Sequence, residues 1–156
     1  MDLQLEKLLD PTGLKLIQAL QEDARLSFSE LGRRVNLSTP AVSERVRRME
    51  EAGLIVGYHA ALDAAKLGWP ITAFIRLFTA AKHYPRFLEL AQTTPEVVEC
   101  YHVTGSEAFV IKARVESVGK LEALIEQLNP FGETSTSVVL SVPIQKAVVE
   151  LPTRRE

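Results

Sequence analysis

Arg33, Arg34, Arg45, Arg47 and Arg48 crowd one short stretch of the chain, with Glu44 the acidic residue among them. Guanidinium groups at this density suit oxyanions, above all the phosphates of a nucleic-acid backbone. The same arginines could instead simply solvate two helix surfaces, so the cluster means little until its supporting elements are known. Other chemistry has less to work with. Cys100 is the single cysteine, and His59, His83 and His102 stand too far apart for zinc spacing. No residue set is spaced for a serine, cysteine or metal-dependent mechanism, and no glycine loop is built to cradle phosphate. The expectation is therefore a non-enzyme with no catalytic residue, no metal and no cofactor.

The elements that must position the arginines are readable. Asp10-Pro11 is a capping residue followed by a proline in the first turn, and Leu14, Ile17 and Leu20 continue at helical spacing. Ser27-Phe28-Ser29-Glu30 reads as a capping box opening a second helix to about Val35. Asn36-Leu37-Ser38 is a tight break, after which Ser38 or Thr39 caps a third helix with Pro40 in its first turn and Gly53 at its end. On a helical wheel Val42, Val46 and Met49 form the inner side, facing Leu31, Val35 and Leu37. Pro40, Glu44, Arg47 and Arg48 form the outer side, with Ser43 at its edge and Arg45 on the flank. Gly32 leaves room where the two helices cross. A helix of this width enters the major groove, where Arg47 suits guanine, while Ser38, Thr39 and Ser43 suit phosphates or bases. The candidate DNA-binding residues are thus Ser38, Thr39, Pro40, Ser43, Glu44, Arg45, Arg47 and Arg48. A plain three-helix bundle that binds protein is the competing reading.

Beyond Gly53 the period changes. Leu54–His59 is short and β-branched and predicts a strand or strand pair, a wing on the helical unit. Gly68-Trp69-Pro70 marks a boundary. From there the pattern gives a strand at 71–79, a helix at 84–93, strands at 97–103 and 108–115, a helix after Ser117 and a last strand at 135–142. Leu121, Leu124, Ile125 and Leu128 supply the second helix's apolar stripe. This order is the split βαβ, ferredoxin-like arrangement. The predicted fold class is α+β: a winged helix-turn-helix domain at 1–60, a linker at 61–70 and a βαββαβ domain at 71–156. The first sheet strand holds apolar residues on both faces, Ile71, Ala73, Ile75 and Leu77 on one and Phe74 and Phe78 on the other. A face not covered by helices should be polar, so a partner's sheet is expected to cover it, with Ile75 and Val139 on the paired face.

Composition permits all of this. The chain has 156 residues, 46% hydrophobic and 24% charged, with a formal net charge of −2. That charge predicts weak non-specific affinity for DNA and makes the local basic face matter more than the total. No apolar run reaches the length of a membrane span, the first residues carry no signal-peptide pattern, and a lone cysteine fits a reducing cytoplasm.

Arg25-Leu26-Ser27-x-x-Glu30-Leu31-Gly32, Leu37-Ser38-x-x-x-Val42-x-x-Arg45-Val46-x-x-Met49-Glu50-x-x-Gly53-Leu54-Ile55, Gly57-Tyr58 and Tyr101-His102-Val103-Thr104-Gly105 together resemble the Lrp/AsnC (feast/famine) transcriptional regulators, most nearly their LrpC-like branch. The resemblance covers nearly the whole chain. It implies a C-terminal domain of the RAM or ACT-like type, a homodimer that often assembles into octamers, double-stranded DNA as partner and a response to amino acids. It also implies an effector site at a subunit interface, mapping onto Tyr101, Thr104, Gly105, Ser106, Glu107 and Ala108. By that resemblance, amino-acid-responsive members commonly carry an aspartate where Ala108 stands, and alanine holds no ammonium group. A structural hairpin and a ligand site therefore both remain open for this loop. An architectural protein that wraps DNA with little sequence preference is the rival to a local regulator.

Overall fold

In the computed structural model, residues 3–146 and Val149 are described. They divide into two units, one running to Ala60 and resuming at Ile144, the other spanning Ala61–Pro143. The stretch 61–70, expected as a linker, falls in the second unit, where Asp63 Oδ1 accepts from the amides of Ala65 and Lys66 and closes a turn.

Three helices are expected before residue 53 and four form: α1 (Leu3–Leu8), α2 (Pro11–Glu22), α3 (Phe28–Val35) and α4 (Thr39–Glu51). Their starts follow the capping residues. Asp10, Ser27 and Ser38 each present a side-chain oxygen to the third residue on, Gly13, Glu30 and Ala41 respectively. Only half of the expected capping box forms, because the Glu30 carboxylate turns to Arg33 and Arg34. Gly53, at a φ of 67°, ends α4; its amide reaches Glu50 and the Leu54 amide reaches Met49, the paired closure of a Schellman turn. The core joins Leu16, Ala19 and Leu20 of α2 to Leu31 of α3 and to Val42 and Val46 of α4. In α2 the buried positions are thus Gly13, Leu16, Ala19 and Leu20, while Leu14 and Ile17 are only half-buried.

The strand expected at Leu54–His59 does not form: these residues pair with no strand among the described residues. Ile55 packs against the helical core, Tyr58 donates its hydroxyl to Glu50 at 2.9 Å, and Val56 is 91% exposed. The residues have β propensity, but a strand also needs a ladder partner, and this unit supplies none.

The second unit is a four-stranded antiparallel sheet in the order β2-β3-β1-β4, formed by β1 (Ile71–Phe78), β2 (Val97–His102), β3 (Phe109–Val115) and β4 (Glu133–Val138). Helix α5 (Tyr84–Thr93) joins β1 to β2 and α6 (Val118–Leu128) joins β3 to β4. Each connection skips one strand, and right-handed crossovers then put both helices on one face. Beneath them lie Ala73, Ile75 and Leu77 of β1, Phe109, Ile111, Ala113 and Val115 of β3, and Phe87, Leu121, Leu124 and Leu128 from the helices. Ile75, expected on the paired face, is fully buried in this core, because the inward positions of β1 alternate as Ala73, Ile75 and Leu77. The opposite face carries Thr72, Phe74, Arg76 and Phe78, with Val110, Lys112 and Arg114 beside them on β3 and Glu99 and Tyr101 beyond on β2. It mixes apolar and charged side chains, and is less apolar than the β1 sequence alone implies.

Candidate nucleic-acid interface

Helix α4 holds its arginines out on a rigid support. Its inner residues Val42, Val46 and Met49 are 0–1% exposed, so the helix cannot roll without opening the core. The turn before it is equally constrained: a Cβ on Gly32 would meet the Leu37 carbonyl oxygen at 2.5 Å, so α3 reaches the turn only with glycine there. Asn36 takes the left-handed conformation that reverses the chain. Ser38, Thr39 and Pro40 then stand exposed at the start of α4, Ser43 and Glu44 are half-buried along it, and Arg47 and Arg48 are exposed further on.

The charges on this face are paired. Arg47 meets Glu44 through two parallel hydrogen bonds, Nε to Oε2 at 2.9 Å and Nη2 to Oε1 at 2.8 Å, and its Nη1 meets Glu51. Arg48 Nε reaches the same Glu44 Oε1 at 2.7 Å. Hydrogen bonds from Arg47 and then Arg48 pull the Glu44 carboxyl down to about 2. On α3, Arg33 hydrogen-bonds Glu30, and Arg34 Nε stands at ion-pair distance, 3.7 Å, from the same carboxylate. All of these pairs are exposed to solvent, so each is exchangeable.

Arg45 differs. It is the least exposed of the cluster at 26%, its Nη2 pairs with Asp10 Oδ1, and its Nε is buried without a partner. Asp10 Oδ1 also takes the Gly13 amide at 2.7 Å, so one carboxylate caps α2 and holds α4. Burial pushes the Asp10 carboxyl up, but the bonds from Arg45 and Gly13 outweigh it and leave the group below its ordinary range. Sequence gave no signal for this pairing, because the partners are far apart in the chain and Asp10 already had a role as a cap.

The second candidate site is the loop from β2 to β3. Tyr101 is exposed on the open face of the sheet, and its hydroxyl meets Glu99, which also takes Lys112 Nζ at 2.9 Å. Thr104, Gly105 and Ser106 form an exposed bend, with Gly105 at a φ of 125°. The Glu107 carboxylate accepts from Ser106 Oγ at 2.6 Å, and that bond, helped by the charge of Arg76, holds it below its usual range. Residue 107 lies outside the strands, so strand alternation does not fix its direction. Ala108 is buried, its amide bonded to Leu77 at 2.9 Å. Cys100 is half-buried, and burial raises its thiol, which leaves it unactivated. Among the described residues no His/Cys/Asp/Glu group is placed to hold a metal, and no helix is long and apolar enough to cross a membrane.

Residues 9–50 match the AsnC-type helix-turn-helix domain and residues 72–149 the Lrp/AsnC ligand binding domain. The chain is 37% identical over 133 residues to the HTH-type transcriptional regulator LrpC of Bacillus subtilis strain 168, covering 85% of this chain and 92% of that one. The solved structure of B. subtilis LrpC superposes with a TM-score of 0.83 at 36% identity, over 88% of this chain and 99% of that one. A Neisseria meningitidis transcriptional regulator solved with L-Met also gives 0.83, at 26% identity, over 91% of this chain and 96% of that one.

Proposed function

This chain belongs to the Lrp/AsnC family of helix-turn-helix transcriptional regulators, and on that premise we propose that it reads duplex DNA with α4 laid in the major groove. The observation that carries the reading is the outward face of α4, with exposed Arg47 and Arg48 on a helix whose opposite side is locked into the core. Ser38, Thr39 and Pro40 enter first, and Ser43, Glu44, Arg47 and Arg48 follow along the groove. Arg47, with its forked guanidinium, takes guanine O6 and N7. Arg45 serves as a strut to Asp10 that fixes the angle of α4 against α2. The protein has no catalytic role in this reading and works in the cytoplasm, where its DNA is.

The sheet unit assembles subunits. Phe74 and Phe78 on its open face, flanked by Arg76, Lys112 and Glu99, offer a surface that a second copy covers. The family's ligand-binding domain and the L-Met complex of the N. meningitidis regulator support an amino acid as effector, and the loop 104–108 is where the family resemblance would put it. There Glu107, outside the strands and charged at neutral pH, takes the ammonium group that Ala108 cannot.

Titration of the protein on its own upstream DNA and on random duplex, at two salt concentrations and with a panel of L-amino acids, tests the whole reading. A large specificity ratio that one amino acid changes is the expected result. A ratio near unity under every condition would replace the local regulator with the architectural role.

A further inference from the structure

On the outward face of α4, Glu44 and Glu51 between them neutralise Arg47, and Glu44 alone also engages Arg48. A surface meant only to grip phosphate would leave its guanidiniums free. Here Arg47 has all three of its nitrogens on carboxylates and Arg48 its Nε, so Arg47 above all must give up a carboxylate before its fork can face DNA. Glu44 accepts three hydrogen bonds from the two arginines and keeps its charge far into acid. Once the arginines leave it, its carboxylate stands in a groove of negative potential with its acceptors unmet, which is strongly unfavourable unless a donor replaces them.

We propose that Glu44 is a specificity-setting residue: it withholds Arg47 and Arg48 from phosphate on unselected DNA and accepts the amino group of a cytosine at the selected site. The inference rests on the placement of α4 proposed above. Among the bases, cytosine offers an N4 amino donor in the major groove without an acceptor beside it. Adenine sets N7 next to its N6 donor, and that lone pair opposes a carboxylate. Thymine and guanine present acceptors only. The glutamate therefore works against three bases and against bare backbone, and for one base. Its position one helical turn before Arg47 and Arg48 sets the spacing between the cytosine and the guanine that Arg47 reads.

The experiment compares wild type, Glu44→Ala, Glu44→Gln and Arg47→Ala on a short duplex pool of randomised sequence, by binding titration against salt and by sequence selection from the pool. Both Glu44 variants should bind the unselected pool about three- to tenfold more tightly, with a salt slope steeper by about 1 for each guanidinium that reaches a phosphate. Their selected sequences should lose one cytosine and keep the other positions. The Glu44 side chain is 43% accessible and the glutamine retains the hydrogen-bonding shape, so the fold should survive, as far-UV circular dichroism will report. Unchanged affinity for the pool, or an unchanged selected sequence, overturns the proposal. Arg47→Ala separates the two failures. If it weakens binding while the Glu44 variants gain nothing, Glu44 is merely a helix ion pair; if it too changes nothing, the placement of α4 falls instead.

Discussion

The two units leave opposite kinds of surface uncovered. In the helical unit a small core of α2, α3 and α4 is closed over, and what faces outward on α4 is charge held in exchangeable pairs. The sheet unit buries a much longer list of apolar side chains under α5 and α6 and leaves its other face mixed, with Phe74 and Phe78 set among Arg76, Lys112 and Glu99. Exposed ion pairs contribute little to stability and can change partner; apolar groups on a sheet face gain most by being covered. The first surface is therefore suited to a polyanion and the second to another protein subunit. Two kinds of arginine share α4: Arg47 and Arg48 are exposed, while Arg45 is drawn inward to Asp10.

The sharpest way to break that contrast is to put the same charge on either side of β1. Ile75→Asp places a carboxylate in the fully buried core and should destabilise the sheet unit by roughly 3–5 kcal/mol or more, seen as loss of the cooperative urea transition. Phe74→Asp, one position earlier on the open face, should leave circular dichroism nearly unchanged and dissociate the homo-oligomer proposed above, as sedimentation velocity will show. A dimer that survives Phe74→Asp intact would reassign the open face. In the helical unit, Asp10→Ala removes a cap and the partner of Arg45 together. It should lower stability by about 1–2 kcal/mol and weaken DNA binding, and Arg45→Lys should share the binding defect in the same titration. The smallest effect is a pH signature. The Glu44 carboxyl at about 2 lies below its ordinary 4.5, so its charge helps α4 fully above about pH 4.5, and the help is lost as pH falls toward 2. Carbon-13 titration of the glutamate carboxyls should find one with a midpoint near 2, moving up in Arg47→Ala.

Local chemistry made much of this legible before any coordinates. Asp10, Ser27, Ser38 and Gly53 each act at the helix end that their types imply, and the stripe at Leu121, Leu124, Ile125 and Leu128 faces the sheet, with Ile125 at its half-buried margin. Failures came where the outcome depends on something distant. Leu54–His59 has the composition of a strand but finds no ladder partner in its unit. The sequence puts Ile75 on the wrong face because β1 carries apolar residues on both sides, and only the helices overhead distinguish them. The short α1 has six residues, too few for a helical period to stand out. The Asp10–Arg45 contact spans two helices, and nothing in either local pattern announces it. At the loop 104–108, the sequence indicates the bend at Gly105 but not the Ser106 hydroxyl that holds the Glu107 carboxylate.

Dimethyl sulfate protection of guanine N7 on a selected duplex tests the central claim most directly, since that atom lies in the major groove where Arg47 should donate to it. The account predicts that wild type shields a guanine in each bound site and that Arg47→Ala exposes the same guanine while backbone contacts elsewhere persist. If saturating wild-type protein leaves every guanine N7 in the bound duplex reactive, α4 does not enter the major groove and the account is wrong.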